Sequence, residues 1–171
     1  ALQVEVEQAS AVGRVGELIR CPVPYAQHRE KPRPQVAIAR QRRNQRETAG
    51  RLHAMPKPTI AAIPGAAAGA GLSMALACDL RVMADTAFMT TAFAKVGFSG
   101  DYGGTYFLTQ LVGAAKAREM YFLSDRVDAA EALRLGLANR VVPADALLTE
   151  AQALATRLAA GPRVAYRYMK D

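Results

Sequence analysis

The chain is poor in the side chains that hold metals or build disulfide frameworks. Its 171 residues include two cysteines, two histidines and no tryptophan. Two cysteines do not make a disulfide framework, and they are not grouped with the histidines in a metal-ligand spacing. Cys78 lies in an alanine-rich helix pattern and is expected to be a small core residue. His28 and His53 have polar, arginine-rich neighbours and are expected to be solvated. Disulfide-rich and zinc-binding classes are therefore not expected.

Charge is absent from twenty consecutive residues, 59–78. A run of this length could cross a bilayer as one helix. However, Pro64 and Gly65 interrupt it, and its alanine-rich composition inserts into membranes far less readily than leucine and isoleucine do. The first twenty residues carry acids early and have no long apolar run, so no signal peptide is expected. We predict a protein without a membrane span, and a reducing cytoplasm is the default location.

The uncharged run predicts a strand, a loop and a helix. Thr59–Ile63 contains β-branched residues and predicts a strand, Pro64 and Gly65 end it, and Ala70–Ala77 suits a helix. The backbone amides of residues 69–71 would then lie at a helix N-terminus, where partial positive charge stabilises an anion. The alternative is close backbone packing of the strand against the helix, with no ligand.

Three consecutive segments carry a family resemblance. They are KPTIAAIPGAAAGAGLSMALACDLRV at 57–82, FMTTAFAKVGFSGDYGGTYFLTQLVG at 88–113 and AAKAREMYFLSDRVDAAEALRLGLANRVVP at 114–143. Together they resemble the crotonase family, the enoyl-CoA hydratases and isomerases. The resemblance implies an α/β fold, a right-handed spiral of ββα turns, that binds acyl-CoA thioesters and assembles as trimers or paired trimers. Because the resemblance fades near the ends, we expect a crotonase-like spiral that is incomplete at both ends.

The chemistry that this resemblance implies is stabilisation of a thioester enolate by two backbone amides. One donor belongs to the glycine-rich loop and matches Ala70, where alanine replaces the more common glycine. Since the amide donates and the side chain does not, this replacement is compatible with the role. Coenzyme A is part of the substrate, and no separate cofactor or metal is expected. The implied substrate-binding positions are Ala66, Ala68, Gly69, Gly71, Ser73 and Phe93.

The acid and base groups depart from the hydratase pattern, in which two glutamates hold and activate water. The first glutamate position matches Ser73, and the second falls at Ala92 or Phe93. None of these side chains moves a proton as a carboxylate does, so hydration by the usual pair is not expected. Asp101 falls where several isomerase-like members carry a catalytic carboxylate, and it is the candidate acid/base. The alternative for Asp101 is a cap on a helix that begins near Gly104.

The family's second oxyanion donor lies on an N-terminal segment resembling A-F-C-A-G-G-D, and this motif is absent from the sequence. The closest echo is SAVGRVGE at residues 10–17, which lacks the aromatic residue and the aspartate. Loss of one such donor costs about 3 kcal/mol of transition-state stabilisation.

Positive charge is concentrated in the first third of the chain. Residues 1–58 carry 11 Lys and Arg against 5 acids, whereas residues 59–171 carry 11 against 10. Residues 21–46 are rich in Arg, Pro and Gln and cannot bury much core. We predict a basic, divergent N-terminal segment at 1–45 and a crotonase-like core at 46–171. The basic segment suits an arm for nucleic acid or an acidic surface; we favour a segment that has drifted from its family, because no nucleic-acid-binding signature accompanies it.

The C-terminal part predicts helices and one strand. Asp128 is expected to cap a helix that Gly136 ends, and a strand is expected at 139–142. Residues 144–160 predict an amphipathic helix, and in the family further helices cover the active site and build the trimer. We expect the apolar face of this helix to lack part of its covering, which favours self-association. That face is predicted to hold Leu147, Leu148, Ala151, Leu154 and Leu158.

Three functional hypotheses follow. The first is an acyl-CoA-binding enzyme of enoyl-CoA hydratase or isomerase type, a homo-oligomer in which Ala70 is the oxyanion donor and Asp101 the acid/base. The second is a catalytically inactive crotonase paralogue or fragment that keeps the fold. The third is a basic interaction module that binds nucleic acid or a protein, for which the sequence offers little support.

Overall fold

The computed structural model describes residues 5–8 and 34–170, with only the backbone described for 5–8 and Pro34. The predicted motif echo at residues 10–17, Cys21 and His28 lie outside these ranges. The strands are β1 Glu5–Gln8, β2 Thr59–Ile63, β3 Ala66–Ala68, β4 Leu80–Ala84, β5 Phe88–Thr90, β6 Val127–Asp128 and β7 Arg140–Val142. The helices are α1 Pro34–Gln45, α2 Arg51–His53, α3 Ala70–Ala77, α4 Gly104–Leu123, α5 Ala129–Arg134, α6 Leu147–Ala159 and α7 Arg163–Lys170. A π-helical turn spans Arg46–Gly50, and a 3-10 turn spans Ala94–Val96.

Two small sheets are built by successive turns of the chain. The first sheet has the order β1-β2-β4-β7, in which β1 is antiparallel to β2 and the other pairs are parallel. The second has the order β3-β5-β6, with β3 parallel to β5 and β6 antiparallel to it. In the units β2-β3-α3 and β4-β5-α4, each turn gives one strand to each sheet before its helix. This arrangement is the predicted α/β spiral of ββα turns.

The uncharged run forms the centre of the core. All five residues of β2 are buried, as are six of the eight residues of α3, and the predicted bounds of both elements are confirmed. A parallel strand covered on both faces requires an apolar run, which explains the missing charge. Among the described residues, no helix is long and apolar enough to cross a membrane. Cys78 is a core residue as predicted, and burial raises the pKa of its thiol to about 12.

The C-terminal amphipathic helix differs from its prediction in two ways. Helix α6 runs from Leu147 to Ala159, inside the predicted range of 144–160, because a turn at residues 144–146 precedes it. Leu148 was placed on the apolar face, but it is 49% exposed. Adjacent helical residues lie about 100° apart, so Leu147 and Leu148 cannot both face the core.

The apolar face of α6 is covered, contrary to the expectation from the sequence. Leu147, Ala151 and Leu154 are buried where α6 packs on β2 and β4. Apart from Leu148, the exposed large apolar side chains lie outside α6, and several of them are at the end of α4 and on α7. These are Phe122, Leu123, Val164, Tyr168 and Met169.

Strand β7 begins at Arg140, one residue later than predicted, because the Asn139 side chain is hydrogen-bonded to the backbone of Arg81. The Asn139 side-chain Oδ1 accepts from the Arg81 backbone N–H at 2.7 Å, and the Asn139 N–H donates to the Arg81 carbonyl at 2.9 Å. The Arg81 guanidinium is buried and donates to the carbonyls of Leu137 (2.7 Å) and Cys78 (2.6 Å). A buried charge is tolerated when it is hydrogen-bonded in this way.

Helix α5 and the start of α4 have the bounds that the sequence predicts, whereas α4 is interrupted once along its length. The Asp128 side chain accepts from the Glu131 N–H at 2.8 Å, which confirms the predicted cap of α5. Gly136 follows α5 with φ +75°, a conformation that L side chains rarely adopt, and ends the helix as predicted. Helix α4 begins at Gly104 as predicted, but Gly113 interrupts it with φ 77° and ψ 164°. Side chains before and after Gly113 therefore do not share one helical phase.

One carboxylate oxygen ties the start of β2 to the end of the chain. The Asp79 Oδ2 accepts from the Thr59 N–H at 2.7 Å, the Thr59 hydroxyl at 2.8 Å and the Lys170 ammonium at 2.7 Å. The Thr59 hydroxyl in turn accepts from the Asp79 N–H at 3.0 Å. Since Thr59 is fully buried, no solvent can replace the hydrogen bonds made by its N–H and its hydroxyl group.

Replacing Thr59 with Val is expected to lower the free energy of unfolding by about 1–3 kcal/mol, because the Asp79 N–H is left without its buried acceptor. Urea unfolding followed by circular dichroism measures the change. Thr156→Val, at an exposed position of α6, is the matched control and is expected to stay within about 0.5 kcal/mol. Equal effects of the two substitutions would show that the Asp79 cluster contributes nothing.

Candidate active site

The glycine-rich loop turns sharply between β3 and α3. Gly69 has φ 53° and ψ −123°, a conformation that L side chains rarely adopt. Its N–H donates to the Thr90 carbonyl at 3.1 Å, which ties the loop to the end of β5. A side chain on Gly69 would also contact the Phe93 ring and the Thr91 carbonyl at 3.7 Å. The loop conformation therefore depends on glycine at this position.

The Ala70 amide is left free at the start of α3. Ala70 is the first residue of the helix, where an N–H has no intrahelical acceptor. Within the described part of the chain, no backbone carbonyl or side chain accepts from it. Ala70 is only partly buried, so part of the residue is accessible from outside. The geometry suits the predicted role of Ala70 as an oxyanion donor, because a free N–H at a helix N-terminus stabilises negative charge.

The other predicted loop positions lie on both sides of the same turn. Ala66 is exposed and Ala68 partly exposed, whereas Ala67 between them is buried. Because side chains alternate along a strand, Ala66 and Ala68 share the open face of β3. Gly71 is buried in the first turn of α3. Ala66 and Ala68 are therefore accessible to a ligand, and Gly71 serves the packing of the helix.

The two positions that hold glutamates in hydratases contain no free acid or base here. The Ser73 side chain is buried and its hydroxyl donates to the Gly69 carbonyl at 3.2 Å, the local bond expected of a serine in a first helical turn. Ala92 has a positive φ of 58° and is partly exposed. Phe93 is buried, and its ring fills the space beside Gly69. Apolar atoms thus occupy this side of the site.

Asp101 has a half-buried side chain whose Oδ1 atom is wholly buried. This oxygen has no hydrogen-bond partner among the described residues. Burial raises the pKa of the Asp101 carboxyl above its ordinary value, because the charged form loses solvation. A buried acceptor without a partner costs stability, and functional sites are where such groups are commonly retained.

The capping alternative for Asp101 is wrong. The N-cap of α4 is Gly103, with φ 73°, and no side chain caps the helix there. Only the backbone of Asp101 takes part, through its carbonyl, which accepts from the Gly104 N–H at 3.0 Å. The carboxyl group therefore makes no capping bond to α4.

Tyr121 belongs to the site although the sequence pattern did not indicate it. Its ring stacks on Phe93, with centroids 6.1 Å apart and planes inclined by 6°. Burial raises the pKa of Tyr121 to about 12; a hydrogen bond with Ser73 lowers it, and the nearby Asp101 charge raises it further. The break at Gly113 hid this residue, because periodicity counted from the start of α4 loses its phase there.

Gly104, the first residue of α4, packs against the hydroxyl groups of Ser73 and Tyr121. A methyl group on Gly104 would overlap the Ser73 hydroxyl and come within 2.6 Å of the Tyr121 hydroxyl. The two hydroxyl groups therefore lie against the bare backbone of Gly104. Helices α3 and α4 meet at this point, which brings the predicted residues Ser73, Phe93 and Asp101 into one site with Tyr121.

Residues 5–8 and 34–170 contain no cluster of His, Cys, Asp and Glu side chains that could hold a metal ion. His53 is exposed as predicted, and its ring lies 5.0 Å from that of Phe107.

Comparison with known proteins identifies the family. The family model for enoyl-CoA hydratase/isomerase matches residues 27–171. The chain belongs to this family. It is 44% identical over 124 residues to a probable enoyl-CoA hydratase of Mycobacterium tuberculosis, covering 72% of this chain and 48% of the relative.

Solved structures agree with this assignment. An enoyl-CoA hydratase from Polaromonas sp. JS666 superposes with a TM-score of 0.76 at 37% identity, covering 81% of this chain and 54% of that one. A Thermobifida fusca YX protein solved in complex with acetoacetyl-CoA superposes with a TM-score of 0.63 at 41% identity, covering 65% of this chain and 44% of that one. The fold is thus crotonase-like, and the chain spans about half the length of these relatives.

Replacing Gly104 with Ala is expected to lower the free energy of unfolding by about 1–3 kcal/mol, because the new methyl group displaces Ser73 and Tyr121. The loss is expected although alanine is the better helix former. Thermal and urea unfolding measure it. Gly65→Ala is the matched control, since a methyl group there meets nothing within 4 Å. A stabilised Gly104→Ala variant would show that the packing between Ser73, Gly104 and Tyr121 is looser than described.

Replacing Asp101 with Asn is expected to stabilise the protein at neutral pH. The folded-state pKa is raised, so the folded form binds the proton more tightly and ionisation costs stability as pH rises above the ordinary pKa. The gain of the variant over the native chain should be near zero at about pH 4 or below and largest at about pH 7.

Urea unfolding of both proteins across this pH range measures the difference. Asp125→Asn, at an exposed position, is the control. An Asp101→Asn variant that is less stable at neutral pH would mean that the carboxylate has a structural partner.

Proposed function

We propose that this chain binds an enoyl-CoA or related acyl-CoA thioester and moves a proton on it through an enolate. The observation that carries the proposal is the buried Oδ1 of Asp101, which has no hydrogen-bond partner among the described residues. The position of the Ala70 amide at the N-terminus of α3 supports it. A carboxyl group with a raised pKa suits a base that later returns its proton. Membership of the enoyl-CoA hydratase/isomerase family supports the substrate class.

Each group has one role in the proposed reaction. Asp101 removes a proton from a carbon that the thioester acidifies, and the electron pair moves into the thioester to form an enolate. The Ala70 amide donates to the enolate oxygen, where negative charge accumulates. The protonated Asp101 then returns the proton to another carbon of the same acyl chain, so that a double bond shifts and the atoms balance.

Isomerisation is favoured over hydration by the composition of the site. Hydration needs groups that hold and activate water, and the two relevant positions carry Ser73, whose hydroxyl already donates to a backbone carbonyl, and Ala92 or Phe93. The Phe93 ring makes the site apolar next to these two positions. A single carboxyl group that shuttles one proton suffices for a double-bond shift.

An inactive paralogue that binds acyl-CoA without turnover is the second candidate. The absence of a carboxylate from both hydratase positions favours it. A basic interaction module is the weakest candidate. The observation that favours such a module is the exposed position of three arginines on α1, Arg40, Arg42 and Arg43.

Further properties complete the proposal. The Thermobifida fusca relative was solved with acetoacetyl-CoA, which supports a thioester ligand whose coenzyme A is part of the substrate. The expectation that no separate cofactor is needed stays a prediction. A homo-oligomer, trimer or hexamer, is proposed on the family resemblance, and the exposed apolar side chains of α4 and α7 support it. A cytoplasmic location and a division into segments 1–45 and 46–171 stay predictions.

Asp101→Asn is expected to slow proton exchange at the substrate carbon by about 10²- to 10⁴-fold, because the general base is removed. The measurement is nuclear magnetic resonance of an enoyl-CoA in heavy water with the native and variant chains. Calorimetric titration with the same thioester checks that the variant still binds. Asp125→Asn serves again as the control and should exchange at the native rate.

Three results would contradict parts of the proposal. Binding without exchange by the native chain would favour the inactive paralogue. Equal exchange by Asp101→Asn would remove Asp101 from the reaction. Appearance of a hydroxyacyl-CoA would show hydration.

A further inference from the structure

Three buried hydroxyl groups lie next to the glycine-rich turn, outside the residues assigned to the proposed reaction. They belong to Thr90, Thr91 and Ser124 and are called the hydroxyl cluster. We propose that these three are positioning residues, which hold the turn that presents the Ala70 amide. The inference rests on the proposed function, because it assigns the hydroxyl cluster to the same enolate donor.

The hydroxyl cluster joins the end of β5 to the end of α4. The Thr90 hydroxyl donates to the Ser124 carbonyl at 3.0 Å, and the Thr91 hydroxyl donates to the Met120 carbonyl at 2.8 Å. The hydroxyl oxygens of Thr91 and Ser124 are 3.0 Å apart. Since the Thr91 proton is used on Met120, Ser124 is the donor in this bond. Side-chain hydrogen bonds thus fix both threonines to the last turn of α4.

Ser124 adopts a backbone conformation that is unusual for serine. It follows the last residue of α4 with φ 52° and ψ 36°, in the left-handed region where helices commonly end on glycine. Glycine would adopt this conformation more readily, but it would lack the hydroxyl group that bonds to Thr91. The serine side chain therefore supplies a contact that the end of the helix does not itself require.

The segment that the hydroxyl cluster fixes also supports the glycine-rich turn. The Thr90 carbonyl accepts from the Gly69 N–H at 3.1 Å. A methyl group on Gly69 would lie 3.7 Å from the Thr91 carbonyl and from the Phe93 ring, so this segment lies directly against the turn. Thr90 is thus bonded to Gly69 through its backbone and to Ser124 through its side chain.

Two anchors set the direction of the Ala70 N–H. This N–H and the Gly69 carbonyl belong to one planar trans peptide and point in opposite directions. The Gly69 carbonyl accepts from the Ser73 N–H at 3.0 Å, so the Ala70 N–H points away from Ser73. The second anchor is the bond from the Gly69 N–H to Thr90. Because a glycine backbone is little restricted by sterics, loss of this anchor lets the peptide plane tilt.

Thr91→Val tests the inference because it removes one hydroxyl group and nearly keeps the size of the side chain. The Met120 carbonyl still accepts from the Ser124 N–H, and the Tyr121 carbonyl, 3.4 Å from the Ser124 hydroxyl, offers that hydroxyl another acceptor. The variant is therefore expected to fold. Ser124→Gly is the second test, since glycine suits the left-handed backbone. Thr91→Ser restores the hydroxyl group and should behave as the native chain does.

Hydrogen exchange of the Gly69 amide tests the anchor without any ligand. Thr91→Val and Ser124→Gly are expected to speed this exchange by about tenfold relative to the amides of β2, because the segment that carries its acceptor is less firmly held. The amides of β2 correct for a general loss of stability. Unchanged exchange at Gly69 in both variants overturns the inference, whatever the chain binds.

The enolate of acetoacetyl-CoA tests the consequence for the Ala70 amide. This enolate absorbs ultraviolet light, so its fraction is measured at saturating protein and fixed pH. Thr91→Val should give a several-fold smaller enolate fraction per bound molecule. Butyryl-CoA, which forms no measurable enolate, should bind within about threefold of the native affinity.

Two comparisons separate positioning from stability. Thr109→Val is the matched control, because the Thr109 hydroxyl donates to the Thr105 carbonyl in the same helix, and this variant should change neither readout. A merely structural role of the hydroxyl cluster would reduce the amount of folded protein, but it would leave the enolate fraction per bound molecule unchanged. Thr91→Ser should restore both the exchange rate and the enolate fraction.

The outcomes distinguish this inference from the proposed function. Faster exchange at Gly69 with an unchanged enolate fraction overturns the positioning role. A native chain that forms the enolate but moves no proton on an enoyl-CoA overturns the role of Asp101, and a reduced fraction in Thr91→Val still supports the positioning role. A native chain that binds neither thioester overturns both the proposed function and the assignment of the hydroxyl cluster to an enolate donor.

Discussion

The backbone of Gly69 is the constraint on which the rest of the site depends. Its N–H is bonded to Thr90 of one sheet, its carbonyl receives both donors of Ser73, and its positive φ ends β3 and starts α3 within one residue. The Ala70 amide is free because these bonds leave it at the first position of a helix. A single residue without a side chain thus links the sheet, the helix and the amide at the N-terminus of the helix.

The loop before α4 contributes a carboxyl group that takes no part in holding the fold together. Asp101 neither caps α4 nor forms an ion pair with a described residue, and one of its oxygens is buried without a partner. Among the other described residues, buried side-chain polar atoms have hydrogen-bond partners, as Arg81 and Asp79 illustrate. The contrast matters because an unsatisfied acceptor lowers stability, and retaining one is consistent with a role in proton transfer.

The local elements around the site could be predicted from the sequence, whereas some side-chain placements could not. Strand β2 and helix α3 follow from a run of apolar residues punctuated by Pro64 and Gly69, signals that act over a few residues. Leu148 was misplaced because its exposure depends on the phase of α6 over the sheet. Tyr121 was missed because Gly113 resets the helical phase within α4.

The sequence by itself determined the family, strand β2, helix α3 and the glycine-rich turn between them, because these depend on patterns carried by neighbouring residues. Only the tertiary structure decided that Ser73, Phe93, Asp101 and Tyr121 share one site, since the contacts join α3, α4 and the loop between β5 and α4. It also decided that the Asp101 carboxyl is unpaired. Hydrogen-bond satisfaction and burial are properties of packed neighbours distant in the chain, and no local pattern specifies them.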